Sequence, residues 1–264
     1  MDALGASDTL IRVTKYREMP PVSKGEINRC GEHLVKMHRH ARAREFREYM
    51  AMRRDPESHR ATQIVDDFRA AHQRPLSVTS VGLRQFVASS LGEQPVVSQR
   101  LKRLPRIIRK LANMERSNLA RLEDIGGTRA IVDDLDAQAR LCAHIEKRWS
   151  GMIKRTRDYV DEPKPTGYRA RHYVIERYDR RIEIQVRTRA QQLWANAIEQ
   201  ADSRLDLTLK DGVGPDSMLD YFSALGDMLY YDEAGRPRPD GLVDRYELAV
   251  NAVIDEGYFV RRRS

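Results

Sequence analysis

The segment Glu183-Ile184-Gln185-Val186-Arg187 alternates polar and apolar residues with a period of two. In an extended strand successive side chains point to opposite faces. Glu183, Gln185 and Arg187 therefore share one face, and Ile184 and Val186 turn toward a core. A row of Glu, Gln and Arg on the outer face is either the wall of an active site or a solvated sheet face. Gly127–Val132, Lys154–Val160 and His172–Tyr178 read as further strands, and Asp179-Arg180 is short enough to join the last to Arg181–Arg187 as a hairpin. Between them, residues 134–149 follow helical spacing, with Leu135, Leu141, Cys142, Ile145 and Trp149 as the apolar set, and residues 189–200 return to helix. Strands and helices in this order predict an α/β (α+β) core, a mixed central β-sheet flanked by helices.

The first ~90 residues have no such alternation and read as helical. Residues 1–22 form an irregular lead with Pro20-Pro21. Ser23-Lys24-Gly25-Glu26 fits a capping box opening a long amphipathic helix with Ile27, Cys30, Leu34 and Met37 on one face, broken at Asp55-Pro56. A second helix is expected over about 57–71, with Ile64, Val65 and Phe68 inward, ending at Arg74-Pro75. The tail predicts a helix near 217–231, a Gly/Pro-rich loop from Gly235 to Gly241, and a last helix. The 264 residues divide on this reading into a helical region packed on the core at 1–90, a core at 91–210 and C-terminal helices at 211–264.

Hydrophobic content of 41% can fill a core. Cys30 and Cys142 lack C-x-x-C spacing, which favours two reduced thiols over a metal site. No signal peptide or membrane-spanning run is visible, so a cytoplasmic protein with no membrane partner is expected. Lys and Arg number 47 against 39 Asp and Glu, a net charge of +8, which favours polyanionic partners.

Four segments carry chemistry. In Arg100–Lys110 six basic residues fall without an acid among them, and on a helix Arg106 and Lys110 stack one turn apart. Such repulsion suits either a solvated face or a bound triphosphate, whose oxygens match arginine forks. Asp124, before Gly126-Gly127, is placed to cap a helix or to hold Mg²⁺, which takes one or two carboxylates plus phosphate oxygens. The 157–172 segment, with Pro163, Pro165 and Gly167, makes a rigid loop in which Tyr168 either offers a flat face to a base or packs inward, beside Lys164, Arg169 and His172. The fourth segment is the Glu183–Thr188 strand.

Together these segments resemble the synthetase domain of RelA/SpoT alarmone enzymes, small single-domain branch. The family pattern is met by Arg100, Lys102, Lys110, Asp124, Gly127, Arg129, Asp158, Tyr159, Pro163, Lys164, Gly167, Tyr168, Arg169, His172, Glu183, Gln185, Arg187 and Thr188 over about 95–205. The resemblance implies a nucleotidyltransferase-like fold and a Mg²⁺-dependent pyrophosphokinase with ATP as donor. It implies that Arg100, Lys102, Arg106, Lys110 and Arg129 grip ATP and that Asp124 and Glu183 are catalytic and hold the metal, Glu183 also serving as base. It implies Lys164, Tyr168, Arg169, His172, Gln185 and Arg187 on the acceptor side, Tyr168 stacking on a base. Arg106 stands where the family often has Ser, Thr166 where it often has Asn, and Arg157 where it has Lys. The helix after Thr188 keeps an acid, Glu199, and lacks the usual histidine. No hydrolase domain is visible.

Two acceptors follow. A toxin of this kind would modify the 3′ CCA end of tRNA, with a neutralising antitoxin or immunity protein as a partner, and the +8 charge fits it. A small alarmone synthetase would make (p)ppGpp or (p)ppApp from GDP/GTP or adenosine nucleotides. A third reading, an inactive RNA-binding module, is disfavoured by the two carboxylates. The sequence leaves the oligomeric state open.

Overall fold

The structure, a computed structural model, describes residues 22–43, 45–92, 96–114 and 118–259. The lead before Val22 lies outside the described residues. In chain order the helices are α1 (Lys24–Arg42), α2 (Phe46–Arg54), α3 (Pro56–Ala70), α4 (Gln73–Leu91), α5 (Leu104–Ala112), α6 (Leu135–Trp149), α7 (Arg189–Leu205), α8 (Asp216–Glu233) and α9 (Leu242–Asp255). The strands are β1 (Val96–Leu101), β2 (Gly126–Val132), β3 (Ile153–Asp158), β4 (Arg171–Arg177) and β5 (Arg180–Thr188). Two compact units divide them: Met1–Ala71 with Leu104–Ala120, and His72–Arg103 with Arg121–Ser264.

In the first unit Ser23 caps α1, its hydroxyl accepting from the Glu26 amide at 3.1 Å. The Glu26 carboxylate accepts from Arg60 of α3 at 2.8 Å, where the sequence suggested a return to Ser23. The single long helix expected up to Asp55 is two, α1 and α2. The buried residues of α1 end at Val35. Beyond them little apolar burial keeps the helix in line, and burial rather than propensity holds most helices. Asp55 caps α3 through the Glu57 amide at 3.0 Å, and Pro56 takes the first helical position, where a missing N–H costs nothing. Ile27, Leu34, Val35, Ala61, Val65, Phe68, Ile107 and Leu111 are buried on α1, α3 and α5.

The second unit is built on a five-stranded sheet of order β1-β2-β5-β4-β3. β2 and β5 are parallel and the other pairs antiparallel, so the sheet is mixed as expected. Its apolar face, including Ala130, Val132, Tyr173, Ile175, Ile182, Ile184 and Val186, packs on α4 and α6 through Leu76, Leu83, Val87, Leu141, Ile145 and Trp149. At Gly126 a Cβ would come 2.9 Å from Ile182 Cδ1, so the first glycine of the pair serves packing.

Two elements escaped the sequence. Pro75 sits in the first turn of α4, where its absent N–H is one of the unpaired set, so it starts a helix where a stop was read. β1 is an edge strand with only Val97 and Leu101 partly buried, too little alternation to read. The hairpin turns one residue earlier than expected, at Tyr178-Asp179. Both have positive φ, 50° and 57°, matching the strand twist.

A second core gathers Tyr168, Ala170, Trp194, Ile198, Leu209, Met218, Phe222 and Val253 around α7, α8 and α9. The 159–170 loop docks on α8 through two facing glycines. A Cβ at Gly167, whose φ is +86°, would lie 2.6 Å from the Phe222 carbonyl, and one at Gly226 would lie 2.3 Å from the Gly167 carbonyl. Among the described residues no helix is long and apolar enough to cross a membrane.

Candidate active site

The sheet's other face carries the charge. Register places Arg100 on β1 opposite Gly127 of β2, and Gly127 opposite Glu183 of β5. The next row along this face aligns Arg129, Gln185, His172 and Arg157 across β2, β5, β4 and β3. A Cβ at Gly127 would meet nothing closer than 3.9 Å, so this second glycine leaves an open floor beside Glu183.

A closed hydrogen-bond ring runs through this face. Arg187 Nη2 donates to the Tyr168 hydroxyl at 2.9 Å, and Tyr168 lies 2.7 Å from His172 Nε2. His172 Nδ1 lies 3.2 Å from Glu183 Oε1. Gln185 Nε2 donates to Glu183 Oε2 at 2.8 Å, and Gln185 Oε1 accepts from Arg187 Nη2 at 3.0 Å. One tautomer satisfies every partner: a neutral imidazole accepting from Tyr168 at Nε2 and donating to Glu183 from Nδ1. Burial presses the His172 pKa below its ordinary value against the pull of Glu183, which agrees with that neutral form. Burial alone would raise the Glu183 carboxyl, but the His172 contact and the Gln185 hydrogen bond hold it below the usual range despite nearby Asp124. Both oxygens of Glu183 are thus held by donors while the side chain stays ionised.

Asp124 lies two residues before β2 and accepts from Lys102 Nζ, both side chains being largely covered at 15% and 13% exposure. Lys102 is placed by its own amide, which bonds the Ile125 carbonyl at 2.8 Å. Asp124 and Glu183 feel each other's charge. Two carboxylates beside an open glycine floor suit a hard cation that takes one or two protein carboxylates and completes its shell with phosphate oxygens. Among the described residues no cluster of three or more His, Cys, Asp or Glu could hold a metal without such help.

The 164–167 turn closes with the Gly167 amide on the Lys164 carbonyl at 2.8 Å. It lays the Lys164 ammonium 5.2 Å from the Tyr159 ring centre and 5.4 Å from that of Tyr168. That desolvation lowers the Lys164 pKa, against the opposing charge of Asp211. Tyr168 itself is 5% exposed, its ring edge-on to Tyr159, His172 and Trp194. Burial first raises its pKa, so the phenol keeps its proton.

The structure does not bring every expected residue here. Arg169 points to α8, where it pairs with Asp227 at 2.8 Å and lies 4.0 Å from the Tyr230 ring centre. Its position one residue from Tyr168 sends it to the other side of the loop. Arg106 and Lys110 are exposed on α5 of the first unit, while Arg100 is on β1 and Lys102 in the link after it. The basic run is thus a strand, a link and a helix.

Other residues of the face were missed. Glu123 takes Arg157 at 2.9 Å, Arg155 at 3.3 Å and Arg181 at 3.5 Å, so one acid serves three guanidiniums. Extending the alternation from Glu183 along β5 would have found Arg181; Arg155 and Arg157 stand on β3, and only its pairing with β4 brings them to this face. Gln192 of α7 accepts from both Arg129 and Arg187. It lies outside the alternating strands, so their pattern does not reach it.

Residues 99–204 match the model described as the region found in RelA / SpoT proteins. A GTP pyrophosphokinase rsh of Brucella melitensis is 34% identical over 116 residues, 41% of this chain and 15% of that protein. An uncharacterized protein of Mycobacterium bovis is 34% identical over 117 residues, 44% of this chain and 41% of that one. The matched stretch is therefore less than half of either relative. Small alarmone synthetase 2 of Bacillus subtilis superposes with a TM-score of 0.53 at 21% identity, covering 64% of this chain and 94% of that one. Small alarmone synthetase 1 of the same organism, bound to its product pppGpp, gives 0.52 at 19% identity, with 64% and 93% covered. At these identities the two structures speak to the fold.

Proposed function

We propose, from the match of residues 99–204 to the region found in RelA / SpoT proteins, that the protein is an ATP-dependent pyrophosphokinase of that family acting on a ribose 3′-hydroxyl. The observation that carries the reading is the ionised Glu183, held by His172 and Gln185 on the polar sheet face. A carboxylate so placed accepts the proton of the 3′-hydroxyl as its oxygen bonds the β-phosphorus of ATP. The bond between that phosphorus and the α,β-bridging oxygen breaks, AMP leaves with the electron pair, and the pyrophosphoryl group stays on the acceptor. Arg100, Arg129 and Lys102 supply positive charge to the triphosphate, and such charge counts where it develops in the transition state. Asp124 and Glu183 would hold Mg²⁺, which when bound neutralises phosphate oxygens. Lys164, Tyr168, His172 and Gln185 form the acceptor wall, and Arg187 stands between it and Arg129, bonded to Tyr168 and Gln185 on one side and to Gln192 on the other. Arg106 and Lys110 are assigned to ATP through the family pattern alone.

For the acceptor, the compact group of Arg155, Arg157 and Arg181 around Glu123 favours GDP or GTP, whose 5′-phosphates need a local surplus of positive charge. This reading also agrees with the name of the Brucella relative. The net charge of +8 supports the second reading, the 3′ end of tRNA, with translation as the target and an antitoxin as partner. Incubation with γ-labelled ATP and Mg²⁺, with GDP, GTP, ATP or bulk tRNA as acceptor, decides between them. Label on GDP or GTP supports the first reading and label on tRNA the second. Transfer to none of them rejects the pyrophosphokinase.

A further inference from the structure

We propose that Gln192 is a positioning residue that holds Arg129 and Arg187 together as a pair of guanidiniums for the phosphates of ATP; this rests on the pyrophosphokinase reading. Gln192 lies in the first turn of α7, after the Thr188 cap. Its Oε1 accepts from Arg129 Nη1 at 3.0 Å and from Arg187 Nη1 at 3.1 Å. Its Nε2 donates to Asn196 Oδ1 at 2.6 Å, one turn further along the same helix. That second bond fixes the amide so that its carbonyl, not its NH₂, meets the arginines.

The charge around this bridge is unbalanced. Arg187 is 2% exposed and Arg129 is half-buried. Among the described residues neither forms an ion pair with a carboxylate; Arg187 is held by Tyr168, Gln185 and Gln192, all neutral. The Nε atoms of both arginines are buried and lack a partner. Burial first, and then the Arg187 charge, press the Arg129 guanidinium below its ordinary value, and the Glu199 carboxylate opposes them without pairing directly. Two buried like charges are costly, and a carboxylate between them would relieve the cost. The neutral amide instead orients both forks and leaves their charge for an anion. A phosphate chain fits, because arginine forks bind phosphate oxygens bidentately.

Stability and affinity should therefore move in opposite directions. In Gln192→Glu, which nearly keeps shape, the carboxylate pairs with both arginines. The melting temperature should hold or rise by about 2–4 °C. Affinity for a non-hydrolysable α,β-methylene ATP, read by calorimetry, should fall at least tenfold, and KM for ATP should rise more than kcat falls. Gln192→Met, which keeps volume without an acceptor, should lower the melting temperature and weaken analogue binding less than the Glu variant. Wild-type affinity in Gln192→Glu overturns the proposal, and so does a parallel loss of stability and affinity, which marks Gln192 as structural only. Inorganic tripolyphosphate separates the two readings. If wild type ignores the ATP analogue but binds tripolyphosphate, and Gln192→Glu loses that binding, the anion site stands and the pyrophosphokinase falls. Wild type that binds neither probe overturns both.

Discussion

At the scale of single residues, Glu183 and His172 set each other's protonation. Removing the carboxylate's ability to accept a proton, in Glu183→Gln, should lower turnover by about 10²–10⁴-fold with the fold kept. Near-normal turnover of the purified variant sinks the assignment of the base. His172 gives a pH signature. Its folded pKa is lowered, so below the ordinary histidine value near 6.5 the unfolded chain binds more protons than the folded one. Stability therefore falls as pH drops below that value, and Glu183, also lowered, adds a loss in the carboxyl range further down. Between pH 7.5 and 5.5 the melting temperature of wild type should fall more than that of His172→Gln. Equal slopes would show that the ring is not neutral in the folded state.

At the scale of elements, the loop after β3 and helix α7 are held by local chemistry. Thr188 caps α7 through the Gln191 amide at 3.2 Å, Gln191 returns to the Thr188 amide, and the same hydroxyl donates to Glu233 of α8 at 2.9 Å. This cap sits next to Arg187, so it aims the helix that carries Gln192. The loop's dock on α8 depends on Gly226. The Gly226→Ala variant forces a methyl into the Gly167 carbonyl, and a stability loss of about 1–3 kcal/mol is expected from such overpacking. Because Lys164, Tyr168 and His172 lie on or beside this loop, acceptor KM should rise as well. An unchanged melting temperature would mean that the loop shifts freely. Element boundaries were readable to within a residue where burial was strong: α6 buries Leu141, Cys142, Ile145 and Trp149 as expected, though Leu135 is only half-buried, and β5 buries Ile184 and Val186. They were not readable in β1, an exposed edge strand, nor in α4, where Pro75 has the same chemistry as a stop signal.

At the scale of the whole molecule, charge is the dominant feature. On and beside the polar sheet face Arg100, Lys102, Arg129, Arg155, Arg157, Arg181 and Arg187 outnumber Glu123, Asp124, Glu176 and Glu183. Such a surplus raises the local concentration of polyanions and is screened by salt. Reversing one charge beside Glu123, in Arg181→Glu, should weaken acceptor binding and leave the affinity for the ATP analogue within about threefold, since a change in one exposed pair is small. Equal losses for both substrates would place Arg181 on the donor side. If tRNA is the acceptor, its binding should lose about one unit of log–log salt slope for each phosphate contact removed, whereas GDP should show a shallow dependence. The first-helix arginines Arg39 and Arg42 would supply such distant contacts, although Arg39 already donates to the Ala112 carbonyl at 3.2 Å. Arg44 and Arg261–Arg263, the other candidates, lie outside the described residues.

By itself the sequence determined the class of fold, the order of β2 to β5 along the chain and the face on which Glu183, Gln185 and Arg187 stand. Alternation along a strand is a local property, legible one residue at a time. It also carried the resemblance to RelA / SpoT proteins over residues 99–204, because the motif spacing is written along the chain. Which side chains meet was decided only by the tertiary structure. The parallel pairing of β2 with β5 puts Gly127 beside Glu183 across a long sequence gap, and the antiparallel β4 brings His172 to Gln185. Folding sent Tyr168 and Arg169, neighbours in the chain, to opposite partners, His172 and Asp227. It also bridged two arginines with a glutamine on a helix outside the strand pattern. Such contacts depend on register and on the docking of α7 and α8, and both follow from burial summed over many distant residues.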